Sequence, residues 1–343
     1  MIVIREIGGT GVRVGPVGFG GAAIAGLYTL IDDATAAAAV DAAWEAGVRY
    51  FDTAPHYGLG LSERRLGAAL RRYPRDEFVV STKVGRLLEP NPHPTGSDRD
   101  AGGFEVPDDL VRRLDYTARG VRRSIADSLD RLGLDRIDIA LVHDPDDHMD
   151  TALAEAVPAL AELRDRGVVG AVGAGMNHVA PLQRFAAHPD VDVVMVAGRW
   201  TPVDRRAAPL LAACAATGVS VLAAAPFNSG LLTTDWPPDD AYFDYAPAPA
   251  PVLATARRIA ALCREHTVPL PAVAVQFARR HPAVAAVVAG MRTAEQSQTV
   301  VRWATTPVPE ELWSAVDAEV APGVGPGVTR AGLEGRCIPG QPG

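Results

Sequence analysis

The run Asp135–Gly175, DRIDIALVH-DPDDHMD-TALAEAVPALAELRDRG-VVGAVGAG, carries the decision about the fold. An apolar, partly β-branched stretch (Ile137–Val142) gives way to a turn rich in Asp and Pro. An amphipathic segment follows, and then a second apolar stretch (Val168–Gly175). Two apolar strands joined through a helix of that length are parallel neighbours in one sheet. Working outward, the same unit recurs. Helix 34–46 leads to strand 48–52, helix 62–72 to strand 77–83, and helix 117–132 to the strand at 135–143. Beyond the opening run come helix 179–188, strand 191–198, helix 208–218, strand 219–225, helices 252–266 and 271–280, and strand 283–290. Helices 293–304 and 309–319 close the series.

About eight strand–helix units in roughly 300 residues predict an α/β fold, a (β/α)8 TIM barrel. The opening residues VIREI-GGTG-VRVGPV read as a β-hairpin around a Gly-rich turn. Two long irregular stretches, 85–115 and 226–251, are expected to be lid loops at the C-terminal rim. An open doubly wound sheet would need a Gly-x-Gly-x-x-Gly at the first strand and an acid at a later strand end. GFGGAAIAG (18–26) supplies only the glycines. Residues 1–320 are expected to form a single domain, followed by an irregular Pro/Gly-rich tail, 321–343.

Composition narrows the function classes. With 48% hydrophobic and 22% charged residues, the 343-residue chain has the make-up of an ordinary globular enzyme. A net charge of −8 argues against nucleic acid as a partner. Three scattered cysteines, Cys214, Cys263 and Cys337, form neither a disulfide framework nor a zinc set. No apolar signal core or membrane-length run is present, so a cytoplasmic location is expected, with no membrane partner. Among 33 basic residues only Lys83 is a lysine. A chain that otherwise uses arginine keeps one compact ammonium, able to sit beside another titrating group.

In a barrel the chemistry gathers where the strands end. Asp52 follows the second strand, with Tyr57 in the loop beyond it. Lys83 ends the third strand and His143 the fourth. Asn177, Trp200, Asn228 and Gly290 follow the fifth to eighth. A phenol with a pKa near ~10 is a poor proton carrier at neutral pH. A neighbouring ammonium lowers that value, and an aspartate keeps the ammonium charged and in place. A histidine can orient the substrate oxygen. Such a set moves a proton to or from an alcohol or carbonyl oxygen. With no metal set present, it calls for a hydride carrier, a nicotinamide cofactor. In YFDTAPHYGLGLSERRLG (50–67), Gly58 and Gly60 read as a turn out of this site, with Ser62 as the cap of the next helix. The acidic HDPDDH (143–148) reads as a turn rather than a metal site, and His56 as loop surface or a substrate contact.

FDTAPHYG, STK and LVHD, in this order, resemble the signature of the aldo-keto reductase family, and the likeness covers essentially the whole chain. It implies that Tyr57 is the acid/base, Lys83 its activator, Asp52 the partner of Lys83 and His143 the substrate-orienting group. STKVGRLL, VHDPDD, GAGMN, AGRWT, FNSGLL and YFDYAPAP are similar, within the family, to the D-threo-aldose 1-dehydrogenase (L-fucose dehydrogenase) branch, of which pyridoxal 4-dehydrogenase is a near relative. That branch oxidises a cyclic hemiacetal to a lactone. The resemblance implies cofactor contacts at Gly21, Asn177, Trp200, Phe227, Asn228, Ser229, Gly230, Leu231, Gly290, Arg292 and Gln296. It implies substrate contacts at His56, Arg86, Asp144 and Trp200.

Two departures from the family pattern bear on the cofactor. Ala197 stands where a carboxamide-holding glutamine is usual, and Trp200 where a ring stacks on the nicotinamide. Gly290 and Gln296 replace the lysine and arginine that grip a 2′-phosphate, although Arg292 lies close by. NAD is therefore expected, with NADP the alternative. An NADPH-dependent carbonyl reductase, a redox-reporting regulatory subunit and a Schiff-base lyase using Lys83 are the competing readings. The last is disfavoured because a neighbouring aspartate holds a lysine charged.

Overall fold

Eight parallel strands close into a barrel: β1 (Val17–Gly20), β2 (Tyr50–Asp52), β3 (Val79–Val84), β4 (Ile137–His143), β5 (Val169–Met176), β6 (Val193–Ala197), β7 (Ser220–Ala224) and β8 (Val284–Gly290). Each strand pairs with the next, and β8 pairs back onto β1. Around them lie α1 (Asp33–Glu45), α2 (Leu61–Leu70), α3 (Ala118–Leu132), α4 (Val157–Asp165), α5 (Val179–Ala186) and α6 (Ala208–Thr217). These are followed by α7 (Ala250–Glu265), α8 (Leu270–Phe277), α9 (Ala294–Thr305) and α10 (Glu310–Glu319). The computed structural model describes residues 3–320. The Pro/Gly-rich tail and Cys337 lie outside the described residues.

The two-residue period of a strand sorts side chains between two cores. On β4, Ala140 and Val142 face the helix layer, while Ile139 and Leu141 face the barrel interior. On β6, Val194 and Val196 point outward, and Val193 and Met195 inward. β1 uses glycine on its inner face: a Cβ at Gly18 would collide with the ring of Tyr50, which fills that space. The interior is therefore packed rather than open. Beneath it, the N-terminal hairpin (Arg5–Glu6 with Arg13–Val14) inserts Ile7 and Val14 into the same interior cluster. Helix starts follow ordinary capping chemistry. Asp32 accepts from Thr35 N at 2.7 Å, and Thr117 accepts from Gly120 N at 3.1 Å.

The segments expected to be irregular contain order of their own. Arg86–Pro90 pairs antiparallel with Leu110–Leu114, a hairpin standing on the rim. Its strands are joined by a long Pro/Gly/Asp-rich connection, so no tight-turn signal marked them. Within 226–251, Tyr242–Phe243 pairs with Ala246–Pro247. The two turn residues, Asp244 and Tyr245, have φ of +52° and +64°. Both positions then sit in a region that costs a side-chain-bearing residue about 1–2 kcal/mol. Turns of this hand ordinarily take glycine second.

Ser62 does not cap α2, which begins one residue earlier after Gly60 (φ +79°). Its hydroxyl donates to Gly21 O at 2.9 Å and accepts from Thr53 Oγ1 at 2.7 Å, tying three loops together. Gly58 and Gly60 make the turn expected of them. A Cβ at Gly58 would lie 2.7 Å from Ala25 O.

Candidate active site

On β3 the inward positions are Val79, Ser81 and Lys83, and the outward ones Val80, Thr82 and Val84. Thr82 accordingly donates outward to Glu63 of α2 at 2.7 Å, while Ser81 and Lys83 turn to the barrel axis. There they meet Asp52, on the inner face of β2 two residues beyond Tyr50. Lys83 Nζ lies 2.8 Å from Asp52 Oδ2 and 3.0 Å from Oδ1, and donates to Thr53 O at 2.9 Å. Ser81 Oγ donates to Asp52 Oδ1 at 2.7 Å and lies 3.0 Å from the Tyr50 hydroxyl. The lysine is only 2% exposed.

The Tyr57 ring lies against this pair, its centroid 4.6 Å from Lys83 Nζ. His143 meets Tyr57 edge to face, with ring centroids 6.0 Å apart and planes at 89°. All four residues proposed from sequence therefore converge on one mouth.

Their electrostatics follow from burial. Burial alone would drive the Lys83 ammonium down. The Asp52 charge, the Tyr57 phenol and their hydrogen bonds outweigh it and hold lysine's value well above the usual one. Burial pushes the Tyr57 phenol up to about 12, with Lys83 pulling the other way. The lysine thus acts on tyrosine with the expected sign, but desolvation is larger. Tyr57 stands as a protonated phenol at neutral pH.

His56 is not surface. Its ring packs edge-on against His143 (5.6 Å) and Phe104 (5.6 Å), and its carbonyl accepts from Arg112 Nη2 at 2.8 Å. Burial, then the nearby arginines and Lys83, hold both histidines well below the usual imidazole range. Both Nδ1 atoms are buried and have no partner among the described residues. Two neutral rings thus present unpaired polar edges near Tyr57. Above pH about 6.5 both rings are neutral whether the chain is folded or not, and they leave stability unchanged. Below it, the unfolded chain takes up protons that the folded chain refuses. Stability then falls by up to about 1.4 kcal/mol per pH unit for each ring. The melting temperature is expected to drop below pH 6.5, and less steeply in His56→Phe, as differential scanning calorimetry across pH 8 to 5 measures.

Several residues that set the site had not been singled out. The Tyr116 hydroxyl donates to His143 O at 2.7 Å, with Asp144 O 3.0 Å away. Arg112 grips the buried Asp98 through two 2.6 Å bonds while holding the His56 carbonyl, pinning the rim hairpin to the Tyr57 loop. Arg199, buried, donates to Asn177 O (3.0 Å) and to both oxygens of Asp244 (2.7 and 2.9 Å). The placement of Ser81 was legible, since it lies two residues before Lys83 on one strand. The others were not, because each acts on a partner many residues away.

The remaining candidates divide. Arg86 Nη2 lies 3.2 Å from Asp144 Oδ2, so these two pair beside His143. Asn228 gives its Nδ2 to Gly198 O at 3.0 Å, while its Oδ1 is buried with no partner among the described residues. Ser229 Oγ accepts from Tyr245 N at 3.0 Å. Gly21 lies so close to Asp52 O and Ser62 Oγ that a Cβ would sit 2.7 and 2.6 Å from them. Leu231 is fully buried in the cluster around Phe243 and Val252, which leaves its backbone as the part able to meet a ligand. Phe227 packs edge-on to Trp303 at 5.9 Å. The Trp200 ring packs on Phe277 (5.5 Å) and His281 (5.9 Å), spending its surface there rather than in a visible stack over the mouth. Gly290 is exposed. Arg292 Nη2 holds Leu27 O at 3.0 Å, and Gln296 Oε1 accepts from the Arg292 amide at 2.8 Å.

In the stretch read as a turn, 143–148, Asp146 pairs with His178 Nδ1 at 2.5 Å. Cys214 and Cys263 are buried on α6 and α7, where burial pushes the thiols up to about 11 and 12. No helix among the described residues is long and apolar enough to cross a membrane.

The family model described as "Aldo/keto reductase family" matches residues 16–320. The chain belongs to the aldo/keto reductase family. This aldo/keto reductase is 48% identical over 308 residues to a D-threo-aldose 1-dehydrogenase from Pseudomonas sp, covering 89% of the chain and 93% of that protein. It is 36% identical over 333 residues to a pyridoxal 4-dehydrogenase from Microbacterium luteolum, covering 92% and 96%. Among solved structures, the holo form of an aldo-keto reductase from Bacillus halodurans superposes with a TM-score of 0.74 at 25% identity, covering 96% of this chain and 99% of that one. The chain is thus an oxidoreductase, of a family that uses NAD(P)H.

Proposed function

We propose that this enzyme is an NAD-dependent aldose 1-dehydrogenase, oxidising the anomeric carbon of an aldose of the L-fucose or D-threo type to an aldonolactone. The observation that carries the reading is the chain's sole lysine, buried and doubly bonded to Asp52 against the Tyr57 ring and opposite His143. The 48% identity to a D-threo-aldose 1-dehydrogenase supports the substrate class.

Tyr57 takes the proton of the anomeric hydroxyl. It does so as the phenolate, which Lys83 stabilises before the transfer, and Asp52 keeps Lys83 charged and immobile. Neutral His143 orients the substrate oxygen by hydrogen bonding, with His56, Arg86 and Asp144 beside it for the remaining hydroxyls. When bound, the oxidised nicotinamide would supply the hydride acceptor. The buried, unpartnered Asn228 Oδ1 fits such a ligand, which is rich in hydroxyl and amide donors. Asn177, Ser229, Gly230, Gly21 and the Leu231 backbone complete the proposed holding set. Arg292 and Gln296 are engaged with Leu27 and with each other, which favours NAD over a cofactor carrying a 2′-phosphate. We read residues 1–320 as the catalytic unit.

A second reading draws on the protonated state of Tyr57. A phenol held near 12 keeps its proton at neutral pH, the form that gives a proton to a carbonyl oxygen in an aldehyde reductase or the reverse reaction of pyridoxal 4-oxidation. A steady-state screen with NAD and NADP against L-fucose, D-arabinose, L-galactose and pyridoxal separates them. Reduction of NAD with an aldose is expected, with a rate that climbs as pH rises from 7 to 10 because phenolate is the working form. Turnover confined to NADPH and aldehydes would move the assignment to the reductase.

A further inference from the structure

We propose that Tyr245 is a specificity-determining residue whose phenol binds a ring hydroxyl of a polyhydroxylated substrate seated between it and Tyr57. This rests on the aldose reading above.

The tip of the 242–247 hairpin is built at a conformational cost that serves no packing purpose. Asp244 and Tyr245 both have positive φ, and Tyr245 occupies the position where glycine would be strain-free. Its side chain returns nothing to the core. Tyr245 is 58% exposed, and among the described residues it stacks on no other aromatic ring. The tip is nevertheless held rigidly. Arg199 grips both oxygens of Asp244 and the carbonyl of Asn177 at the end of β5, and Ser229 Oγ accepts the Tyr245 amide proton at 3.0 Å. Neither anchor involves the phenol, whose oxygen is hydrogen-bonded separately to the Asn177 side chain at the end of β5.

What the anchors accomplish is placement. The Tyr245 phenol lies within electrostatic reach of Tyr57, Asp144, Arg199 and Tyr28. A hydroxyl on the rim beside Asn177, coupled to a carboxylate and a second phenol, suits a ligand carrying several hydroxyls on one ring.

The test compares wild type, Tyr245→Phe and Tyr245→Gly in the full chain with NAD. It measures kcat/KM for an oxidised aldose and for an alcohol of similar size lacking ring hydroxyls, together with thermal midpoints. Tyr245→Phe is expected to lower kcat/KM for the aldose about five-fold and Tyr245→Gly about thirty-fold, mainly through KM. The ratio of aldose to hydroxyl-free substrate falls with them. The midpoint of Tyr245→Gly is expected to equal or exceed that of wild type, since glycine relaxes the turn. Unchanged aldose kinetics in both variants overturns the inference. So does an equal loss on both substrates with a lowered midpoint, which marks a purely structural role. A wild type that oxidises no aldose overturns the aldose reading and this inference with it. A wild type that does, with variants unchanged, overturns this inference alone.

Discussion

Tyr57→Phe lowers turnover by about 10³-fold while the dissociation constant for NAD stays within about twofold of wild type. The first figure is the usual contribution of a positioned general acid or base. The second follows from geometry, since the Tyr57 ring and its contacts with His143 and Phe104 survive removal of one oxygen. Single-turnover absorbance of the reduced cofactor reads the chemical step, and fluorescence titration reads binding. Turnover within tenfold of wild type would remove Tyr57 from the mechanism.

Asp52→Ala acts on stability as well as chemistry. Lys83 and Asp52 form a pair almost wholly removed from water. Deleting the carboxylate strands an ammonium in the barrel interior with Thr53 O and the neutral Tyr57 phenol in place of a counter-charge. Breaking a buried pair in this way costs about 3–5 kcal/mol, whereas deleting both charges costs less. Urea unfolding should show a large drop for Asp52→Ala and a partial recovery in Asp52→Ala/Lys83→Met. Both variants should be inactive. A double variant less stable than the single one would show that Lys83 keeps adequate solvation without its partner.

The barrel was legible in the sequence because its evidence is local and repeated. Each β-branched run and each amphipathic run declares itself within a window of about ten residues. The four-residue centre was legible for a related reason: strand ends converge in any such barrel, so Asp52, Lys83 and His143 could be placed together without a single distance. What escaped is long-range or contrary to local preference. Arg112 reaching Asp98 and the His56 carbonyl, and Tyr116 holding His143, depend on how the rim hairpin folds back. Tyr245 sits in a conformation its residue type argues against. The net rise of the Tyr57 pKa was equally beyond reach, because burial is a property of the assembled mouth. Ser62 could be read as a cap only while the approach of Gly21 was unseen.

The solid floor of the barrel governs the traffic of protons. From Asp52 the chain of hydroxyls passes through Ser81 and stops at Tyr50, which is fully buried above the inserted hairpin. Among the described residues no side-chain hydrogen bond carries this chain beyond Tyr50, which leaves the mouth as the route for the Tyr57 proton. Each turnover is then expected to discharge its proton past the rim hairpins, on the side where the substrate enters.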